Sequence, residues 1–213
     1  MRPLLLILLL SSSTTFGQLR EYGLKLGIIG NAADIVIPTS KNDYTDLYYD
    51  YSVYGQFYTD LYQYQNISIR SGIGFLEKNN ILSETLSYDS GKPDSIYIYK
   101  EFVSNYFVWN TDLKLKAKGK ENSVFFPYLF FGPSLQFLNK KSPDLSIPLK
   151  RLQFYGMVGV GFDYDLKSIN LFAEAQRYVN FSGNQSSDPA GNYTVKSFVL
   201  CIGVKYIPKP AKN

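Results

Sequence analysis

Ser197-Phe198-Val199-Leu200-Cys201-Ile202-Gly203-Val204-Lys205-Tyr206 sets Phe198, Leu200, Ile202, Val204 and Tyr206 against Ser197, Cys201, Gly203 and Lys205. Apolar and small or polar side chains alternate with a period of two, which is the signature of a strand with one apolar face. Working back along the chain, the same pattern recurs seven times. Ile169, Leu171, Ala173 and Ala175 oppose Asn170, Glu174 and Gln176, and Phe154, Val158, Val160 and Phe162 alternate with Tyr155, Gly159, Gly161 and Asp163. Within Phe125 to Leu138, Leu129, Phe131, Leu135 and Phe137 face away from Tyr128, Gly132, Ser134 and Gln136. Phe107, Trp109, Leu113, Leu115 and Ala117 oppose Asn110, Asp112, Lys114 and Lys116. Ile67, Ile69, Ile73 and Phe75 oppose Ser68, Arg70, Gly72 and Gly74, and Val53, Phe57 and Leu61 oppose Ser52, Tyr54, Gln56 and Asp60. The first run sets Tyr22, Leu24, Leu26 and Ile28 against Gly23, Lys25 and Gly27. Each run reaches the roughly 9–11 residues with which a tilted strand crosses a bilayer.

Alternation alone fits a soluble barrel or sandwich with an apolar core as well as a membrane barrel with an apolar exterior. The glycines favour the membrane barrel. Gly23, Gly27, Gly72, Gly74, Gly132, Gly159, Gly161 and Gly203 all fall on the polar face. On the wet outside of a soluble protein they weaken strands with no packing return, whereas inside a narrow eight-stranded barrel they make room for long neighbours. The connections agree. Those after runs one, three, five and seven are long and polar (about Ala32 to Asp50, Asn79 to Ser95, Asn139 to Lys150, Asn180 to Tyr193). The three between are short, near Tyr62 to Asn66, Gly119 to Ser123 and Tyr164 to Lys167. Short periplasmic turns and long external loops are the outer-membrane pattern, with both termini periplasmic. The expected fold is therefore an all-β, antiparallel up-and-down transmembrane barrel of eight strands. Ile81 to Tyr88 and Ile96 to Phe102 also look extended around Asp89-Ser90-Gly91-Lys92-Pro93-Asp94, which predicts a hairpin protruding from strands three and four.

At the N-terminus, Arg2 precedes the apolar run Leu4 to Leu10, too short to span a bilayer but of signal-peptide length. Thr15 and Gly17 then occupy the −3 and −1 positions of a cleavage site. The expected division is a signal peptide over residues 1–17 and a barrel domain over 18–213, starting at Gln18. No cysteine lies near the site to carry a lipid anchor.

Of 213 residues 16% are aromatic, 19 of them Tyr, and none is His. Tyrosine in this excess suits a membrane–water interface, where the ring is apolar and the hydroxyl stays wet. Tyr22, Tyr62, Tyr64, Phe126, Tyr164 and Tyr206 fall near the short-turn ends, and Tyr48, Tyr49, Tyr51, Tyr106, Tyr178 and Phe181 near the long-loop ends, so two aromatic girdles are expected. The net charge of +4 is too mild to point to nucleic acid. A single cysteine, Cys201, excludes an internal disulfide framework.

Three stretches carry a family resemblance: Pro127-Tyr128-Leu129-Phe130-Phe131-Gly132-Pro133-Ser134, Val158-Gly159-Val160-Gly161-Phe162, and Leu171-Phe172-Ala173-Glu174-Ala175-Gln176-Arg177-Tyr178. They resemble the PorT-like outer-membrane β-barrel family common in Bacteroidetes, and the Phe16-Gly17-Gln18 junction is similar to export signals of that phylum. Strand four departs from the family pattern, reading Tyr106-Phe107-Val108-Trp109-Asn110-Thr111 where many members carry a Glu and a Pro. The resemblance implies an integral protein of the Gram-negative outer membrane, and does not by itself carry over a role in secretion.

Ionisable residues of both signs gather on the inward face: Lys25, Arg70, Asp112, Lys114, Lys116, Asp163, Glu174 and Lys205. They are expected to form a structural network of ion pairs filling the lumen, since buried charges persist when paired and hydrogen-bonded. A narrow path for ions or small solutes is the alternative. An enzyme is the third reading, disfavoured because histidine, the commonest general base, is missing and no acid or lysine pair stands at a suggestive spacing. Gly72-Ile73-Gly74 and Gly159-Val160-Gly161 lack the third glycine and following helix of a nucleotide fingerprint, and Cys201 reads as a small inward residue. No catalytic residue, cofactor or metal site is expected. The expected partners are outer-membrane lipid, the barrel-assembly machinery and an envelope protein of unknown identity, with external loops serving binding, adhesion or assembly.

Overall fold

The computed structural model describes residues 21–36, 50–86, 96–117, 123–142, 149–166, 169–181 and 192–206. Eight strands follow one another: β1 (Tyr22–Val36), β2 (Asp50–Tyr64), β3 (Ile67–Leu86), β4 (Ile96–Lys116), β5 (Phe125–Lys141), β6 (Leu152–Asp165), β7 (Ile169–Asn180) and β8 (Asn192–Tyr206). Each pairs antiparallel with its sequence neighbour, and β1 pairs with β8, closing the sheet into an up-and-down barrel. Closure leaves no edge along the barrel wall. The expected signal peptide and its cleavage site, the Asp89–Asp94 turn, Tyr48, Tyr49 and Lys120 lie outside the described residues.

The strands alternate as their sequences demand, and the apolar set lies outside. Ile202 is 70% exposed and Ile73 67%, and every strand contributes large apolar side chains to the outer wall. Ser52, Gln56, Ser134, Gln136, Gln176 and Ser197 are buried inside. Several interior glycines lie beside aromatic residues of a neighbouring strand, while Gly27, Gly74 and Gly132 face backbone and Cys201, Gln56 and Asp112. Tyr58 is paired with both Gly23 and Gly72, Tyr128 with Gly161, Phe130 with Gly159 and Phe172 with Gly203. A methyl group at Gly161 would come 2.6 Å from the Tyr128 ring, and one at Gly23 2.7 Å from that of Tyr58. Such distances leave no room for any other residue without moving a buried ring.

Two bulges interrupt the alternation. Between Asp60 and Tyr62 the β2–β3 register shifts, so Leu61 and Tyr62 both face out while Asp60 stays in. An extra residue on one strand of a pair has this effect, because it changes which parity faces the core. The turn that follows is two residues, Gln65-Asn66, with Gln65 in the left-handed region at φ 52°. A second bulge, between Asn105 and Tyr106 in the β4–β5 pairing, brings Lys141 opposite Ser104.

The girdle expectation needs correction at three residues. Tyr22, Tyr62, Tyr64, Tyr164 and Tyr206 do ring the short-turn end on the outside, with the Tyr22 and Tyr206 rings tilted at 51° and their centroids 5.3 Å apart. Phe126, however, has inward parity beside Asp163, and Lys116 lies 4.3 Å over its ring. At the other end Tyr51 and Phe181 are exposed, but Tyr106 and Tyr178 are buried in the lumen. Tyr178 is near the end of β7 while Tyr106 is at the middle of β4, and both face inward on the parity of Gln176 and Asn110.

β3 and β4 outrun the barrel. β2–β3 pairing stops at Tyr54↔Leu76 and β4–β5 pairing at Ser104↔Lys141, yet β3 and β4 stay paired to Leu86↔Ile96. Among the described residues this upper part of the hairpin is a two-stranded ribbon, as the extended sequence around it predicts.

Candidate functional site

The lumen is the only place where polar chemistry gathers among the described residues, and it has two layers. Toward the short turns, every residue expected in the charge network points inward, and the ion pairs form two clusters bridged by Tyr128, which bonds Glu174 and carries Lys114 over its ring. Arg70 Nε holds Asp112 Oδ1 at 3.0 Å, and its Nη1 pairs with Glu174 Oε1. The Lys25 ammonium reaches Glu174 Oε2 at 2.9 Å, and the Tyr128 hydroxyl donates to Oε1 of the same carboxylate at 2.8 Å. Asp163 Oδ2 collects three lysines: Lys205 at 2.9 Å, Lys114 at 3.0 Å and Lys116 at 3.2 Å. Lys205 also binds Glu21 at 2.7 Å.

Backbone register explains these meetings. Arg70↔Asp112 are direct cross-strand neighbours on β3 and β4, while Glu174 on β7 reaches Arg70 from across the barrel. The cations also rest on rings: the Arg70 guanidinium lies 5.0 Å from Phe130 and 5.1 Å from Tyr58, and the Lys114 ammonium 3.7 Å from Tyr128. Rings held over glycines therefore form the shelves on which the charges pack. Glu21 and Asp60 belong to this layer too. Glu21 precedes the first alternating run and so carries no periodic signal, and Asp60 stands on the polar face of its run without a charged neighbour in sequence. They line a cavity of about 20 Å³ with Lys114, Lys116, Asp163 and Lys205. That is the room of about one water.

Toward the long loops the lumen is filled by neutral groups. Tyr54, Tyr106, Tyr155 and Tyr178 pack with Ile29, Leu76, Val108, Met157 and Val199. Their hydroxyls are tied to amides: Tyr54 donates to Gln56 at 2.7 Å, Tyr155 to Gln153 at 2.8 Å, and Asn110 and Gln176 each donate to Tyr178 at 3.2 Å. Ser197 and Ser52 bracket Asn31 at 2.9 and 3.1 Å. One fully buried charge stands in this layer among the described residues, Lys78, 1% exposed, donating to the Tyr155 hydroxyl at 2.9 Å with Tyr106 and Tyr155 rings each 4.6 Å away. It was not among the residues read from the sequence, since the alternation of strand three was followed only to Phe75.

Chemically, the interior offers hydrogen bonds and paired charges, packed side by side. Cys201 is buried, its Sγ 3.9 Å from Glu174 Oε2. Among the described residues no three metal-ligating side chains converge. On the outer wall, the small side chains of Ala173 and Ala175 leave a shallow apolar groove of about 690 Å³ between Val160 and Phe162 on one side and Leu200 and Ile202 on the other.

No protein-family model matches the chain, and no curated protein matches it either. Solved structures do. The outer membrane protein OprG from Pseudomonas aeruginosa is similar at 13% identity with a TM-score of 0.58, over 91% of this chain and 98% of that one. Neisserial surface protein A follows at 12% identity and a TM-score of 0.51, over 88% and 97%. The outer membrane protein AlkL, solved in lipid bilayers, is similar at 14% identity and a TM-score of 0.51, over 92% and 93%. At such identities the likeness is one of fold.

Proposed function

We propose that this chain is an integral outer-membrane β-barrel, non-catalytic and non-conducting, whose protruding β3–β4 hairpin is its external binding element. The observation that carries the reading is the inversion of the wall, with large apolar side chains outside on every strand and ionic and amide groups inside. A contiguous apolar exterior of that kind aggregates in water and is stable in hydrocarbon, provided the backbone is closed on itself. The aromatic ring at the short-turn end, where Tyr22, Tyr62, Tyr64, Tyr164 and Tyr206 gather, supports an interface at that level. The three similar structures are named as outer-membrane or surface proteins, which agrees in compartment. The resemblance to PorT-like barrels supports the same membrane.

Filling of the lumen by paired charges below and tyrosines above favours a plug over a pore. What remains to bind anything is the outside, and among the described strands β3 and β4 extend furthest beyond the barrel. Beyond Asn79, whose N–H goes to the Ser52 hydroxyl, and Val103, whose carbonyl takes the Ser142 N–H, no further strand pairs with the hairpin's outer backbone edges among the described residues, and such edges accept an extended segment of another chain.

The decisive experiment reads lipid contact directly. Fluorophores attached in turn at residues 197, 200, 202 and 203 of the bilayer-reconstituted protein are exposed to a lipid-borne nitroxide. Strong quenching at 200 and 202 against weak quenching at 197 and 203 is expected. Equal quenching at all four would remove the membrane reading. For orientation, a protease site placed within residues 87–94 should be cut on intact cells and one at Lys120 spared. Planar-bilayer recordings should show no steady conductance.

A further inference from the structure

We infer that the upper lumen holds a small monovalent anion, a halide or a carboxylate group, between the Lys78 ammonium and the Ser104 hydroxyl. Lys78 and Ser104 are direct cross-strand partners, and the β4–β5 bulge brings Lys141 opposite the same Ser104. One rung of the barrel thus carries lysine, serine and lysine on three consecutive strands. Lys78 is as deeply buried as Lys25 and Arg70, but it differs from them in what surrounds it. The carboxylates buried in the lumen, Glu21, Asp60, Asp112, Asp163 and Glu174, belong to the lower layer, and no ion pair joins any of them to Lys78 among the described residues.

A buried ammonium has three N–H groups to satisfy. The Tyr155 hydroxyl takes one, and the two rings at 4.6 Å soften the charge without neutralising it. The Ser104 hydroxyl, on the residue directly across from Lys78, is buried with no hydrogen-bond partner, and so are the Ser134 hydroxyl and both ends of the Gln136 side-chain amide on the strand beside Tyr155. Gln136 lies on the rung beside Gln153, whose amide ties Tyr155 to Tyr106. Each such orphan has a cost, and in native interiors they mark the place of a water or an ion. A hydroxyl donor across from a buried ammonium that no carboxylate pairs is the complement of one negative charge. The monovalent choice follows from Lys78 being the one fully buried cation of the upper layer among the described residues, and the small size from its seclusion. The inference does not depend on which membrane the barrel occupies.

Bromide is the probe. The full-length protein, folded in micelles without added chloride, should broaden the bromide NMR line saturably, and chloride should reverse the broadening. Two variants follow, each checked for β-structure by circular dichroism. Lys78→Met removes the charge, and Ser104→Ala removes one neutral donor and leaves every charge in place. A hydrogen bond to a charged group accounts for roughly ten- to a hundred-fold in affinity, so Ser104→Ala should weaken bromide by about ten-fold, and Lys78→Met by more. Absence of saturable broadening in the wild type overturns the inference. Broadening unchanged by Ser104→Ala overturns it too, whatever Lys78→Met does.

Discussion

The two layers of the lumen solve the same packing problem by different means. Below, Arg70, Lys25, Lys114, Lys116 and Lys205 interlock with Glu174, Asp112, Asp163 and Glu21, and every one of these groups has an opposite charge in contact. Above, tyrosine hydroxyls and amides close the space with neutral hydrogen bonds among aliphatic side chains. The lower layer is rigid in an all-or-none way, because removing one charge strands another in low dielectric. Away from Lys78 and the Tyr155 hydroxyl that holds it, the upper layer is tolerant, because losing one neutral hydrogen bond there strands no charge. A barrel can therefore be specified by one layer and adjusted by the other.

The largest effect should come from breaking the lower layer at its centre. Arg70→Met leaves Asp112 with no cation and Glu174 with only Lys25, and should cost about 3–5 kcal/mol in urea unfolding of the micelle-bound protein. A cost no larger than that of an upper-layer tyrosine change would end the distinction between the layers. Next comes the wall against the lumen. Leu200 is 47% exposed and Cys201 4%, so Leu200→Arg should lower folding stability in bilayers by about 2–4 kcal/mol while Cys201→Ser changes it little.

Third, Gly161→Ala pushes a methyl against Tyr128 and the Ala173 carbonyl, and Tyr128 in turn carries Lys114 over its ring and bonds Glu174. A loss of about 1–3 kcal/mol is expected from overpacking. The outward-facing Gly30, where the nearest atom is 3.9 Å away, should accept alanine without loss. Fully destabilising behaviour at both glycines would mean that strand conformation, and not ring packing, sets the cost. Smallest, Tyr178→Phe removes one neutral acceptor from Asn110 and Gln176 and should cost about 1 kcal/mol by the same unfolding assay.

Much of this was legible in the chain itself, and the failures have physical reasons. Strand faces follow from alternation wherever polar and apolar residues truly alternate, as in β8. In Leu129-Phe130-Phe131 they do not, so the inward direction of Phe130 rests on the parity of Tyr128 and Gly132 alone, and nothing in its own chemistry shows that it lies under Arg70 and over Gly159. A signal existed in the glycines on the polar face of β6, but using it requires the β5–β6 register, which a single chain does not display. Tyr106 and Tyr178 were assigned to the girdle because a tyrosine near a strand end satisfies an interface and a wet lumen equally well. Asp60 to Tyr64 crosses a bulge, and no composition rule marks where parity changes. The charged residues were easier. On strands with one apolar face they have a single place to go, and all those named from the sequence face the lumen.

The pairing of β1 with β8 has a consequence for how the chain can be rearranged. Tyr22 and Tyr206 are side-by-side Cα partners at the same end, their rings in contact, so the order of strands around the wall is a circle. Seven of the eight pairings join sequence neighbours and form locally. The eighth spans almost the whole chain and carries nearly all the loop-closure entropy. A circular permutant that links residue 206 to residue 21 by a few residues and opens new ends between residues 87 and 95 turns that slowest pairing into a local hairpin. It makes the long β3–β4 pairing the closing step instead, so the permutant should reach the same barrel by a different order of assembly.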